Sequence, residues 1–547
     1  MRARWMALGL GVVLAGTLSG PLTPSVAHDP DTPAGRASAQ QFMAQREPTA
    51  QLAEVTGAAV TCSGGQASGY PCSNVDLMSF LPMASVGGGQ ANDIWGWTDP
   101  ATGREYAIMG RRNGTSFVDV SDPVNPVYLG NLPSYNGLTA VWRDIKVYRN
   151  HAFVVADVSG HGMQVFDLTR LRGVTTPQTF TANARYGLFG NAHNIAINEE
   201  TGFAYAVGSN TCSGGPHMIN ISNPVAPTNA GCVSGDGYTH DTQCVVYHGP
   251  DTAYTGREIC VNSNEDTVTI VDVTVKASPV QLVRKSYSGS QYTHQGWLTE
   301  DHRYFLLDDE LDESRVGGGT RTYVFDVADL NAPVHTGTFT SPATATDHNQ
   351  DVKGDYTYQA NYRAGLRVLS LADIAGGSLS QVGYFDVYPS SDSASMNGAW
   401  SVYPYFASGN VVVSGIEQGL FVLRPNLIAP PPPGPRFTNA DNVTIADNTT
   451  VESPVTVSGV AGNAPAALQV NVDIKHTYRG DLVLSLVAPD GTVHLLEDFT
   501  NSDSADNVLK TYTVDASAEV ADGTWRLRVQ DVATADTGYV DSWSLQF

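Results

Sequence analysis

The chain places imidazoles at regular intervals. His193-Asn194, His240-Asp241, His294-Gln295 and His348-Asn349 open similar stretches, and Asn92-Asp93, Arg143-Asp144 and Asn397-Gly398 hold the matching places elsewhere. Four of the chain's 13 histidines thus fall in seven equivalent positions. Neutral imidazole ligates Zn, Cu, Ni or Fe, whereas carboxylate suits Ca, Mg or Mn. His193, His240, His294 and His348, with Asp93, Asp144 and Asp241 beside them, are therefore candidate ligands for a divalent metal or another ligand. Asp308, Asp309, Glu310, Arg363 and Glu417 are candidates for the rim of the same face, along with Arg111, Arg112, Asp157, His161, Glu265 and Asp266. The competing reading is architectural: polar residues lining a channel hold water and tie adjacent strands together. Imidazoles with pKa values near 6.5 would make any such binding weaken towards pH 5.

The elements that must position these residues are short strands in a repeat. Ser116-Phe117-Val118-Asp119-Val120, Met163-Gln164-Val165-Phe166-Asp167-Leu168 and Met218-Ile219-Asn220-Ile221 are three copies of one strand. Val268-Thr269-Ile270-Val271-Asp272-Val273, Thr322-Tyr323-Val324-Phe325-Asp326-Val327 and Leu366-Arg367-Val368-Leu369-Ser370-Leu371 continue it, and Gly419-Leu420-Phe421-Val422-Leu423 is a weaker seventh. The polar positions 119, 167, 220, 272, 326 and 370 lie 48, 53, 52, 54 and 44 residues apart. A period near fifty with about four strands per unit predicts a seven-bladed β-propeller. Asp119, Asp167, Asp272 and Asp326 then read as turn caps. Each histidine of the column opens the innermost strand of its blade, so the set surrounds one mouth of the central channel. The loops between second and third strands, which carry the rim candidates, reach the same face. The last unit lacks an outer strand, and the segment 74–84 resembles the outer strands of the others, so it is expected to close the ring and remove an open edge.

The N-terminus reads as an export signal. Arg2 and Arg4 precede an apolar stretch from Met6 to Leu18, and Ser25-Val26-Ala27 offers small residues at a cleavage site, giving a signal peptide over 1–27. That stretch is too short to span a bilayer, and no transmembrane anchor is expected. An extension over 28–60, poorly ordered, would follow it. The six cysteines fit an oxidising compartment. Six allow fifteen pairings, but they group as neighbours: Cys62 with Cys72, Cys212 with Cys232, Cys244 with Cys260. A net charge of -24 repels phosphate backbones, so no nucleic acid is expected as partner.

Two resemblances sharpen this. Tyr292-Thr293-His294-Gln295-Gly296-Trp297-Leu298, Phe305-Leu306-Leu307-Asp308-Asp309-Glu310, Gln359-Ala360-Asn361-Tyr362-Arg363-Ala364-Gly365-Leu366 and Val413-Ser414-Gly415-Ile416-Glu417-Gln418-Gly419 resemble the choice-of-anchor B family, exported bacterial proteins with L-V-I-V-D repeats. The resemblance covers roughly residues 55 to 425, within a propeller domain over 61–424, and implies a common body with a variable attachment device. Beyond a proline-rich linker over 425–436, Tyr478-Arg479-Gly480-Asp481-Leu482-Val483-Leu484-Ser485-Leu486, Gly523-Thr524-Trp525-Arg526-Leu527-Arg528-Val529-Gln530-Asp531 and Asp536-Thr537-Gly538 resemble the P domain (Homo B domain) that follows proprotein convertases and bacterial subtilisin-like proteases. That resemblance implies a jelly-roll-like β-sandwich over 437–547 that often binds calcium. Asp481, Asp531, Asp536 and Asp541 stand at strand ends there, and oxygen-only ligation favours Ca over Zn.

A protease is not expected from these residues. Gly114-Thr115-Ser116 is similar to the subtilisin serine motif, but it begins a repeated strand rather than a buried helix. The leading expectation is a secreted or surface-associated binding protein, its propeller face engaging an unknown extracellular ligand or surface component and its P domain serving as stabiliser or attachment module. The alternatives are a metal-dependent hydrolase or lyase working through a metal-bound water, and an accessory to extracellular proteolysis.

Overall fold

Each repeat folds into an antiparallel sheet of four strands, and seven such sheets follow one another along the chain. The computed structural model describes residues 52–427, 435–466, 468–500 and 502–547. The expected signal peptide, the extension as far as residue 51, and linker positions 428–434 lie outside the described residues. The first strands of the sheets, or blades, are Ala91–Thr98, Arg143–Tyr148, Asn194–Asn198, Asp241–Val246, Thr293–Leu298, Asn349–Lys353 and Ala399–Tyr403. They adjoin one another in chain order, and the seventh adjoins the first, so the blades close into a ring.

Burial explains why the third strand of each blade carries the repeat. Val268–Asp272 and Leu366–Ser370 are buried along their whole length because a neighbouring blade covers each face, and such strands read as unbroken β-branched and aliphatic runs. Outer strands such as Val334–Thr340 alternate between exposed and half-buried. The repeat acids are the turn caps the sequence suggests. Asp119, Asp167, Asp272 and Asp326 each accept a hydrogen bond from the backbone N–H two residues on, at 3.0, 3.0, 2.9 and 2.8 Å. Asn220 and Ser370 do the same in their blades.

A feature the repeat did not announce recurs beside those caps. The ladder between third and fourth strands slips by a residue at Phe117/Val118, Met218/Ile219, Ile270/Val271, Val324/Phe325 and Val368/Leu369. A bulge of this kind raises local twist, which a ring of strongly twisted blades requires. Gly130 stands at the first of them with φ +123°, and a Cβ there would fall 1.9 Å from the Gln178 carbonyl oxygen of an added fifth strand.

The N-terminal segment does close the ring. Val75–Pro82 pairs antiparallel with Gly419–Pro425, from Val75 opposite Pro425 to Pro82 opposite Gly419. Just before it, Gln66–Ala67 and Tyr70–Ser73 add two strands to the outer edge of the sixth blade, so the segment straps two blades together. The disulfides join Cys62 to Cys72, Cys212 to Cys232 and Cys244 to Cys260. Cys244 and Cys260 face each other across the first two strands of the fourth blade.

The C-terminal unit is a sandwich of two antiparallel sheets. One carries Arg436–Asn439, Gly538–Gln546, Leu468–His476 and Val508–Val514; the other carries Thr450–Val457, Gly523–Asp531, Leu482–Val487 and Val493–Glu497. Strand Leu468–His476 alternates strictly between buried and half-buried, and the core gathers Trp525, Trp543, Leu527, Leu484 and Val470.

Phe80, fully buried on the closing strand, lies 4.5 Å from the ring of Phe421. Phe80→Ala is expected to destabilise the ring by about 3–5 kcal/mol. Removal of residues up to Pro82 is expected to cost more, because it reopens a sheet edge. Denaturant melts of both variants against the full chain check this; unchanged midpoints would refute the closing role.

Candidate functional site

The histidine column is first of all a belt between blades. A strand facing a channel has backbone groups with no strand beside them, and these need partners. Column residues and their neighbours supply them at six successive junctions. Asp93 accepts from the Ile145 N–H at 3.0 Å and Asp144 from the Ile195 N–H at 2.7 Å. The Asn194 amide donates to the His240 carbonyl, Gln295 bonds both the N–H and the carbonyl of Gln350, and Asn349 donates to the Trp400 carbonyl. His240 donates from Nδ1 to the His294 carbonyl at 2.9 Å, His294 to the His348 carbonyl at 3.0 Å, and His348 to the Trp400 carbonyl at 2.5 Å.

Those bonds also set the tautomers. A carbonyl only accepts, so Nδ1 of these three rings carries the proton, and Nε2 of the neutral ring is an acceptor. His193 is held alike, with Nδ1 3.1 Å from the Asp157 carboxylate. The four rings form an arc: centroids are 4.4 Å apart from His193 to His240, 4.0 Å from His240 to His294 and 4.7 Å from His294 to His348. Glu310 faces the arc. Its carboxylate lies 3.7 Å from His294 Nε2 and 3.9 Å from His348 Nε2, and accepts from the Tyr362 hydroxyl at 2.7 Å. One ligating atom each of His294, Glu310 and His348 lies within 4.8 Å of the others, and all three residues are buried. Burial lowers the pKa of His348 to about 3 and of His193 to about 4, and raises that of Glu310 to about 7.

The acids expected beside the histidines do other work. Asp93, Asp144 and Asp241 line a channel cavity of about 520 Å³ whose wall does not include the histidines, together with Asp351, Lys146, Trp95 and Trp297. The cation that this negative charge favours is already present: Lys146 Nζ sits 2.7 Å from Asp144 and 4.5 Å from the Trp95 ring centroid. Burial raises Asp241 and Asp351 to about 7, and burial with the charge of Asp144 pushes Asp93 up as well. Sequence reasoning missed Lys146 and Asp351 because a strand residue two or three places past the column carries no signal of facing the channel.

Of the rim candidates, Glu310 and Asp157 join the histidines, Asp157 at His193. Asp309 accepts from the N–H groups of Gln291 and Tyr292 and from the Tyr287 hydroxyl, which makes it a loop clamp. Arg363 donates to Ser391, Ser393 and Asn397, and Glu417 accepts from Asn397 and the Gly398 N–H. Asp308 is wholly buried inside its blade. In the C-terminal sandwich, Asp481 is buried, and burial with the charges of Asp536 and Asp531 pushes its pKa up, so these three acids are neighbours. Asp531 also faces His476 Nε2 at 3.5 Å, both side chains fully buried. Asp447, which the sequence reading did not single out, bears on the same group, whereas Asp541 acts on Lys475 instead. Ser116 lies within strand Gly114–Asp119 and donates to the Val86 carbonyl at 2.6 Å.

Residues 465–547 match the family described as "Proprotein convertase P-domain". "Leupeptin-inactivating enzyme 1" of Streptomyces exfoliatus is 56% identical over 120 residues, which are 22% of this chain and 27% of that protein. "Transglutaminase-activating metalloprotease" of Streptomyces mobaraensis is 50% identical over 115 residues, 21% of this chain and 15% of its own. A "Calcium-dependent protease" of Nostoc sp. is 32% identical over 152 residues, 26% of this chain and 22% of its own. The chain therefore spans about a quarter or less of these relatives' lengths. A solved Lactobacillus plantarum protein aligns over 74% of this chain and 96% of its own at 14% identity and a TM-score of 0.38, too distant to add to the fold described above. The C-terminal sandwich is thus similar to the proprotein convertase P-domain and to segments of these bacterial enzymes.

Proposed function

We propose that this chain is an extracellular binding protein whose ring of blades is a propeller of the choice-of-anchor B kind. Its histidine-lined mouth holds a divalent metal through His294, Glu310 and His348, and the P domain stabilises or attaches the body. The observation that carries this reading is the pair of imidazoles from adjacent blades, each with its proton fixed on Nδ1 by a backbone carbonyl, facing one buried carboxylate. An outer partner on Nδ1 is how proteins orient imidazole for a metal. Two nitrogens and one oxygen suit a borderline cation such as zinc and leave a coordination position for a ligand. Three disulfides fit an oxidising compartment, and among the described residues no helix is long and apolar enough to cross a membrane.

The second reading is hydrolysis or lyase chemistry, because catalytic zinc also takes three protein ligands and a water. A role beside extracellular proteolysis draws on the relatives' names. With Ser116 bound inside a strand, this reading supplies no nucleophile from the ring.

Metal analysis of the chain after chelation and zinc reconstitution is expected to give one equivalent that the His294→Ala/His348→Ala variant lacks, with unchanged circular dichroism. Equal metal content in the two proteins would end this reading.

The pH dependence differs from that of ordinary imidazoles. Since burial holds His348 near 3, it stays neutral at pH 5, and the proton that competes with metal sits on Glu310. Zinc affinity is expected to fall about tenfold per pH unit below 7, with one proton released on binding. Calorimetry across pH 5 to 8 reads this slope, which Glu310→Gln should flatten.

A further inference from the structure

A second cluster, carried by chain neighbours of the mouth residues, is made only of oxygen donors. Asp312, Glu313 and Asp347 are 1, 4 and 0% exposed, and one carboxylate oxygen of each lies within 4.8 Å of the others. In each, at least one oxygen is held by the protein. The Tyr323 hydroxyl donates to Asp312 Oδ2 at 2.8 Å, the Asp347 N–H to Glu313 Oε2 at 3.4 Å, and the Arg321 N–H to Asp347 Oδ2 at 3.2 Å. Glu313 Oε1 and Asp347 Oδ1, both buried, accept no hydrogen bond from any described residue. Asp312 Oδ1 meets the Arg321 guanidinium at 2.9 Å.

Burying a carboxylate oxygen without a donor is costly, and here two such oxygens converge on a third acid. One oxygen oriented from outside and one turned inward is the arrangement that outer partners impose on metal ligands. With all three acids ionised, three carboxylates and one guanidinium would leave two negative charges, which one divalent cation cancels. The absence of nitrogen and sulfur donors selects a hard ion, and a protein cage of carboxylates suits calcium better than magnesium, which gives up its waters reluctantly.

We propose that Asp312, Glu313 and Asp347 form a calcium site that pins the fifth blade to the sixth. Its ligands are chain neighbours of the mouth: Glu313 lies three residues past Glu310, and Asp347 immediately precedes His348. Calcium there fixes the two segments that carry the mouth's carboxylate and one of its imidazoles. The site stands apart from the zinc reading, because its ligands are different residues and its ion a different one.

The test is calcium titration calorimetry, with thermal melting, on the chelator-treated full chain. Asp347→Asn and Glu313→Gln are each expected to lose one calcium equivalent and the part of the calcium-dependent melting shift that goes with it. Asp355→Asn, at an exposed turn of the sixth blade, is expected to retain both. Wild-type stoichiometry and shift in Glu313→Gln, the substitution closest in size, would overturn the site even if Asp347→Asn failed to fold. Magnesium displacing the ion at equal concentration would overturn the assignment to calcium. Zinc content unchanged in Glu313→Gln would keep the outcome distinct from that of the mouth.

Discussion

A closed ring of blades depends on what happens along its innermost strands. Each of those strands has a second strand of its own blade on one side and only the channel on the other, so backbone N–H and carbonyl groups face inward without a ladder. Side chains from the next blade answer them. Asp93, Asp144, Asn194, Gln295 and Asn349 bind backbone groups of the following inner strand, and three imidazoles do so from Nδ1. This side-chain belt joins elements some fifty residues apart, where no local turn could. The closing strand solves the same problem at the outer edge of the seventh blade.

The parts of this design visible in the sequence are those written into short, regular stretches. Third strands are buried on both faces, so they keep a run of β-branched residues and a capping acid that recur at near-constant spacing. Cys244 and Cys260 sit on consecutive strand-like runs, so their pairing is a local fact. The closing strand resembles in sequence the outer strands whose place it takes, although it is buried along most of its length. What escaped the sequence is set by the angle between blades. Lys146 and Asp351 line the channel because adjacent inner strands converge there. Glu310 reaches the arc while its neighbour Asp309 turns into a loop, and no periodicity separates the two. The two strands from Gln66 to Ser73 on the sixth blade were equally hidden, since two residues before a turn and four after it carry no periodic signal.

Electrostatics sorts the interior into regions with different tasks. In the channel cavity, Lys146 compensates Asp144, and the carboxyls of Asp241 and Asp351 are held near pH 7 by burial, so the cavity accommodates its acids partly by protonation. The histidine arc is faced by a carboxylate, Glu310, instead. There, burial works against charge on His193, His348 and Glu310 together.

Belt-building alone does not account for the histidines. The column needs one donor aimed at a carbonyl of the next blade, and Asn92 meets that need with its amide, at 2.9 Å from the Val141 carbonyl. An imidazole brings the same donor and a second nitrogen, Nε2. In the fifth and sixth blades that nitrogen is turned towards Glu310, whose own loop belongs to the fifth blade. Where the column holds Arg143 instead, the guanidinium turns away from the arc towards His161 and the Leu138 carbonyl, among the loops of its own blade. The repeat therefore tolerates amide and guanidinium at this position, while four consecutive blades keep imidazole and one of them supplies a carboxylate opposite. Channel lining explains the donor, and the Nε2 atoms of His294 and His348, both turned to Glu310, are where the metal proposed above would bind.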